Sequence, residues 1–97
     1  MYTKLHRSYR TVVALCDEAL IGKKIEDGER QLDIRESFYK DKQITHAEAV
    51  KLLRMQRAED ATFNIVGPES IAVAEEAGLI PHNSAASLKG VPFTLVF

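Results

Sequence analysis

The pair Cys16-Asp17 is the first place in this sequence where chemistry could reside. A thiol becomes a nucleophile when helical amides and neighbouring cations lower its pKa, and Lys23 and Lys24 follow closely enough to act in that way. Asp17 opposes the effect, and His6, His46 and His82 stand in unrelated contexts, so the sequence assigns no histidine base. The same pair also reads as a buried thiol beside an aspartate that caps a helical turn from Glu18 to Ile21, since free cysteine is among the most buried residue types.

A second candidate is Gly67-Pro68-Glu69-Ser70. It has the form of a helix start, where unpartnered N–H groups and the helix dipole attract an anion, and Asn64 and Ser70 could add side-chain hydrogen bonds. Pro68 removes one donor, Glu69 adds a repelling charge, and neither a GxGxxG nor a Walker pattern is present. Cys16, Asp17, Lys23, Asn64, Gly67 and Ser70 therefore form the ligand-binding set of one hypothesis, a small enzyme or anion-binding protein. A plain strand-to-helix corner is the competing reading.

The third candidate is a basic surface. Lys4, His6, Arg7 and Arg10 lie among Tyr2 and Tyr9 with no acid between them, and Lys51, Arg54 and Arg57 recur on the polar side of a later helix. Cations contact phosphates and exposed tyrosines stack on unpaired bases, so this set predicts an RNA- or ribonucleoprotein-binding module. A solvated charged face is the alternative. The three histidines lack metal-ligand spacing and one cysteine cannot build a zinc site, so no metal and no cofactor is expected.

These side chains must be positioned by elements that the pattern announces. Phe63, Ile65 and Val66 are β-formers broken by Gly67-Pro68, and a helix from Pro68 to Ala77 follows, with Ile71, Ala74 and Ala77 on one stripe and Glu75 and Glu76 on the wet side. Gly78 ends it. Before this come two strands of a hairpin, Tyr2–Arg7 and Thr11–Cys16. The second is apolar on both faces and so central, while Tyr2, Lys4 and His6 mark a partly wet face. A more polar hairpin spans Ile25 to Ile34 around Asp27-Gly28. Arg35–Lys40 forms a helical turn presenting Phe38 and Tyr39. Thr45-His46-Ala47-Glu48 has the side chains of a capping box and opens a helix to Ala58, with Ala49, Val50, Leu52, Leu53 and Met55 as its buried stripe. His82–Ser87 reads as a loop. Phe93–Phe97 reads as a terminal strand whose apolar edge could pair with a second copy of the chain, and Pro92 marks its beginning or an edge. The order predicts an α+β fold, a two-layer sandwich of a mostly antiparallel sheet with two main helices on one face.

The whole is consistent with one domain over 97 residues, 28% charged and 45% apolar, with a net charge of −1. Such a balance excludes nucleic-acid binding through overall charge and leaves only local patches. No run is long enough to cross a bilayer, the first residues lack the apolar segment of a signal peptide, and a single cysteine suits a reducing compartment, so a cytoplasmic location is expected.

Several short pieces, in this order, resemble a family of small archaeal proteins known as domain of unknown function 424. They are Val13-Ala14-Leu15-Cys16-Asp17, Leu20-Ile21-Gly22-Lys23, Phe38-Tyr39, Asn64-Ile65-Val66-Gly67, Glu76-Ala77-Gly78-Leu79-Ile80 and Gly90-Val91-Pro92. The resemblance covers nearly the whole chain. It implies a cytoplasmic archaeal protein with a two-layer α/β sandwich, and it brings no activity.

Overall fold

The computed structural model describes all residues from Met1 to Phe97. Strand β2 (Val12–Cys16) is apolar at every position, which suits only a place covered on both faces. It lies between β1 (Tyr2–His6), its antiparallel hairpin partner, and β6 (Thr62–Val66), to which it runs parallel. The rest of the main sheet is antiparallel. Its order is β5-β1-β2-β6-β8-β7, with β5 (Lys42–Gln43), β7 (Ala86–Leu88) and β8 (Val91–Val96) completing it. The polar hairpin expected around Asp27-Gly28 exists as β3 (Lys24–Asp27) and β4 (Arg30–Asp33), but as a separate two-stranded sheet. Its turn residues are Gly28, with φ of 65°, and Glu29, the arrangement in which glycine takes the first central position.

Two helices cover one face of the sheet. In α2 (His46–Ala58) the expected capping box is complete: Glu48 N–H donates to Thr45 Oγ1 at 3.2 Å, and Thr45 N–H donates to Glu48 Oε1 at 3.0 Å. The Thr45 amide and hydroxyl hold the Glu48 carboxyl below the usual carboxylate range. Helix α3 (Pro68–Glu76) begins with Pro68 in its first turn and is closed by Gly78 at φ 75°, with Leu79 N–H donating back to Ala74 O. Ala49, Val50, Leu53, Ile71, Val73 and Ala74 pack on Val13, Leu15, Phe63 and Ile65 to form the main core. Each large side chain there stabilises the fold by roughly 1.5–3 kcal/mol through its removal from water.

The opposite face is covered over only part of its length. A smaller cluster of Ala14, Cys16, Ile34, Tyr39 and Val66 lies beneath the β3–β4 hairpin and the short helix α1 (Glu36–Tyr39). Lys4 and His6, expected on a wet face, are drawn onto α1. Lys4 Nζ donates to Ser37 O at 2.8 Å, while His6 Nε2 donates to Phe38 O at 2.8 Å and its ring stacks on Phe38.

Three further expectations need correction. Met55 points outward at 56% exposure, and Leu52 is only partly buried, so the buried stripe of α2 is narrower than its hydrophobicity suggests. Ala86 and Ser87 are not loop residues; they belong to β7, which pairs with β8 through the turn Lys89-Gly90. Small side chains gave no strand signal there, and the ladder is imposed by β8. Strand β8 itself is flanked by β6 and β7 rather than lying at the edge, although β7 covers it only as far as Phe93.

Candidate functional site

The ends of the parallel strands β2 and β6 converge on the start of α3. In an open sheet of parallel strands this is the position where anionic ligands settle. Here the chain fills it with its own carboxylate. Asp17 Oδ1 accepts from Ser70 N–H at 2.8 Å and from Ser70 Oγ at 2.7 Å, and Oδ2 accepts from Glu69 N–H at 3.0 Å. Ser70 is fully buried and Asp17 nearly so. Asp17 makes no side-chain cap on the 3₁₀ turn Glu18–Leu20, contrary to the local reading, because its carboxylate caps α3 across the sheet.

Gly67 makes this closure possible. Its φ of 109° and ψ of 152° lie outside what a side chain tolerates, and a Cβ there would stand 2.5 Å from Asp17 Oδ1. Its N–H donates to Pro92 O at 2.8 Å, which locks β8 to the corner. Cys16 is fully buried beside it. Burial, and secondarily the Asp17 charge, push its thiol up to about 12, so it stays protonated at neutral pH. Burial likewise raises the Tyr39 phenol to about 12. Lys23 is exposed at the mouth of the hairpin, where its carbonyl accepts from Ile34 N–H, and Asn64 lies on β6, paired in register with Ala14. Of the expected ligand set, then, Asp17, Gly67 and Ser70 meet at one point, where Asp17 and Ser70 satisfy each other and Gly67 allows their close approach, while Lys23 and Asn64 stand apart from them.

The basic residues divide between the two layers. Arg54 Nη2 donates to Glu76 O at 3.2 Å and Arg57 Nη1 donates to Gly78 O, so both arginines tie α2 to the carbonyl end of α3, where the helix dipole favours cations. His46 adds a contact to Glu76 at 3.1 Å. Lys51 is exposed on the same helix. Lys4 and His6 face the other way, onto α1. Arg10 donates to Asp60 O at 2.9 Å and pairs with the Asp60 carboxylate at 3.2 Å. Arg7, Tyr9 and Arg10 share the turn that joins β1 to β2, and Tyr9 is fully exposed.

That turn borders a feature the sequence did not announce. Strand pairing sets Lys4, Ala14, Asn64 and Leu95 in one row across the less covered sheet face, followed by His6, Val12 and Thr62 in the next. Beyond Ala14 no element seals these rows: Val12, Thr62 and Asn64 are half-buried, Leu95 is 56% exposed, and Phe97, just past β8, is more exposed still. The alternation of β6 could have placed Asn64 on a different face from Phe63, but only the extent of the hairpin and α1 decides which rows remain open. No cluster of three or more histidine, cysteine, aspartate or glutamate side chains with metal-holding geometry occurs, and no helix is long and apolar enough to cross a membrane.

A family model described as "Protein of unknown function (DUF424)" matches residues 6–97. No curated protein matches the chain significantly. Among solved structures, the crystal structure of an uncharacterized conserved protein from Methanopyrus kandleri is similar, with a TM-score of 0.89 and 30% sequence identity over 98% of this chain and 88% of that one. Its archaeal source agrees with the archaeal family expected from the short motifs.

Proposed function

The chain belongs to the DUF424 family of proteins of unknown function, and from its geometry we propose that it is a binding module for single-stranded RNA, alone or within a ribonucleoprotein of the cytoplasm. The observation that carries this reading is the open end of the sheet beside the Arg7–Thr11 turn. Asn64 offers an amide that both donates and accepts, Leu95 and Phe97 offer apolar surface for bases, and Arg7 supplies an unpaired cation for phosphates, with Arg10 beside it in the turn paired to Asp60. Unpaired bases laid on a sheet, with the backbone running along a cationic rim, are bound by this combination of stacking and charge. The surface is smaller than the sequence predicts, since Arg54, Arg57 and Lys51 belong to the other layer.

Fluorescence anisotropy with a labelled single-stranded RNA at two salt concentrations tests the reading. Binding that weakens as salt rises, and weakens further in Asn64→Ala and Arg7→Gln, is the expected result. No binding at low salt overturns it.

The rival enzymatic reading has less support, because its thiol is buried and protonated and its helix start is already capped. A homodimer is favoured by one specific observation. β7 pairs with β8 only through Phe93, which leaves the outer side of the strand from Thr94 onward without a partner strand. Light scattering that returns a monomer mass across the micromolar range would eliminate that arrangement.

A further inference from the structure

On the helix-bearing face, at the margin formed by β1, β5 and α2, lies a cavity of about 390 Å³. This is within the lower range of sites that hold small molecules, which are typically about 300–1,000 Å³. Leu5, Ile44 and Leu52 supply its apolar lining, and Arg7, Asp41 and Lys42 its charged side chains. Thr3 completes the wall, but its hydroxyl already donates to Ala14 O at 2.8 Å. The chain's ion pairs run between other residues and leave Arg7, Asp41 and Lys42 uncommitted. The cavity arises because β5 pairs with β1 only at Tyr2 and Thr3, so β1 continues past the end of β5 and leaves Leu5, with Arg7 just beyond the strand, lining a gap that Leu52 of α2 also borders.

We propose that this cavity binds a small apolar carboxylate, with the hydrocarbon body against Leu5, Ile44 and Leu52 and the carboxylate on the Arg7 guanidinium. The assignment follows from charge and shape together. Two cations against one acid give the lining a net positive charge. A guanidinium fork matches a planar carboxylate through two parallel N–H···O bonds. Arg7 is the principal anchor because its planar fork, unlike the Lys42 ammonium, holds a carboxylate by two bonds at once. The apolar wall excludes ligands that are polar throughout. The site is on the opposite face from the open rows of Asn64 and Leu95 and shares only Arg7, at the end of β1, with the proposed RNA surface.

Hexanoate and its uncharged amide, hexanamide, test this by titration into the isotopically labelled protein, followed through backbone amide resonances. The expected result is saturable shifts confined to Thr3, Leu5, Arg7, Ile44 and Leu52, with affinity about tenfold or more weaker for hexanamide and for hexanoate with Arg7→Gln. Arg7 is exposed, so that variant folds, and Leu52→Trp provides a second one that fills the cavity and abolishes the shifts. Equal binding of acid and amide, shifts scattered over the surface, or no saturable shift at millimolar hexanoate would each overturn the proposal. Because the resonances of Asn64 and Leu95 report the other face, failure here is distinguishable from failure of RNA binding.

Discussion

The two ends of the parallel pair β2 and β6 are finished in opposite ways. At their carboxyl ends Asp17 closes the site with three hydrogen bonds, one from Glu69 and two from Ser70, and Cys16 is sealed beneath the hairpin. At their amino ends Val12 and Thr62, with Asn64 one row further in, stay half-buried, beside Leu95, Phe97 and the fully exposed Tyr9. The general position for a ligand in such a sheet is the first of these, yet this chain occupies it with its own carboxylate. Polar groups that satisfy one another add stability and leave nothing for a ligand to gain, whereas unspent groups on an incompletely covered surface retain binding capacity.

Substitution at Gly67 strikes hardest at the closed end. Gly67→Ala must hold a side chain at a positive φ and also displace the Asp17 carboxylate, so a loss of about 3 kcal/mol or more is expected in denaturant unfolding. A loss below about 1 kcal/mol would mean that the corner is loose and the contrast between the ends overstated. Next in size is Asp17→Ala, which leaves the Ser70 hydroxyl and two helix N–H groups without their acceptor; about 2–3 kcal/mol is expected, with Asp17→Asn retaining part of the difference.

Alkaline pH probes the same buried end without mutation. The Cys16 and Tyr39 protons are held to about 12 in the folded protein, against ordinary values of 9.0 and 10.0. The folded state therefore keeps protons that the unfolded chain releases, and stability is full below pH 9 and declines as pH rises from there towards 12. Urea midpoints measured across that window check the decline, and Cys16→Ala should make it shallower. Below pH 9 an alkylating reagent should leave Cys16 unmodified until the protein unfolds.

The smallest stability effects belong to the open end. Leu95→Ser should change unfolding free energy by no more than about 0.5 kcal/mol, while lowering RNA affinity in the anisotropy assay. A large destabilisation would show that Leu95 is part of the core and would remove the distinction between the two ends.

Much of the architecture could be read from the residues because its signals are local. Thr45 and Glu48 are three positions apart, so the capping box depends only on the helix they start, and Pro68 and Gly78 bracket α3 by their own backbone preferences. The all-apolar run of β2 identified a central strand. Met55 misled because hydrophobicity on a helix indicates a buried stripe without indicating its width. Ala86 and Ser87 carried no β-preference and form a strand only because β8 pairs with them.

The functional candidates fared differently, since each depended on partners distant in the chain. Asp17 lies 53 residues before Ser70, and nothing near either residue announces that they bond. Arg54 and Arg57 have the spacing of a solvated helix face, and only the approach of α3 turns them towards its carbonyls. The amino-acid sequence by itself determined where helices and strands begin and end, because capping, φ preference and apolar alternation act between near neighbours. Tertiary structure alone decided which polar groups are spent and which remain available, because a hydrogen bond or ion pair needs its partner within about 3–4 Å, and that distance is set by how the layers pack.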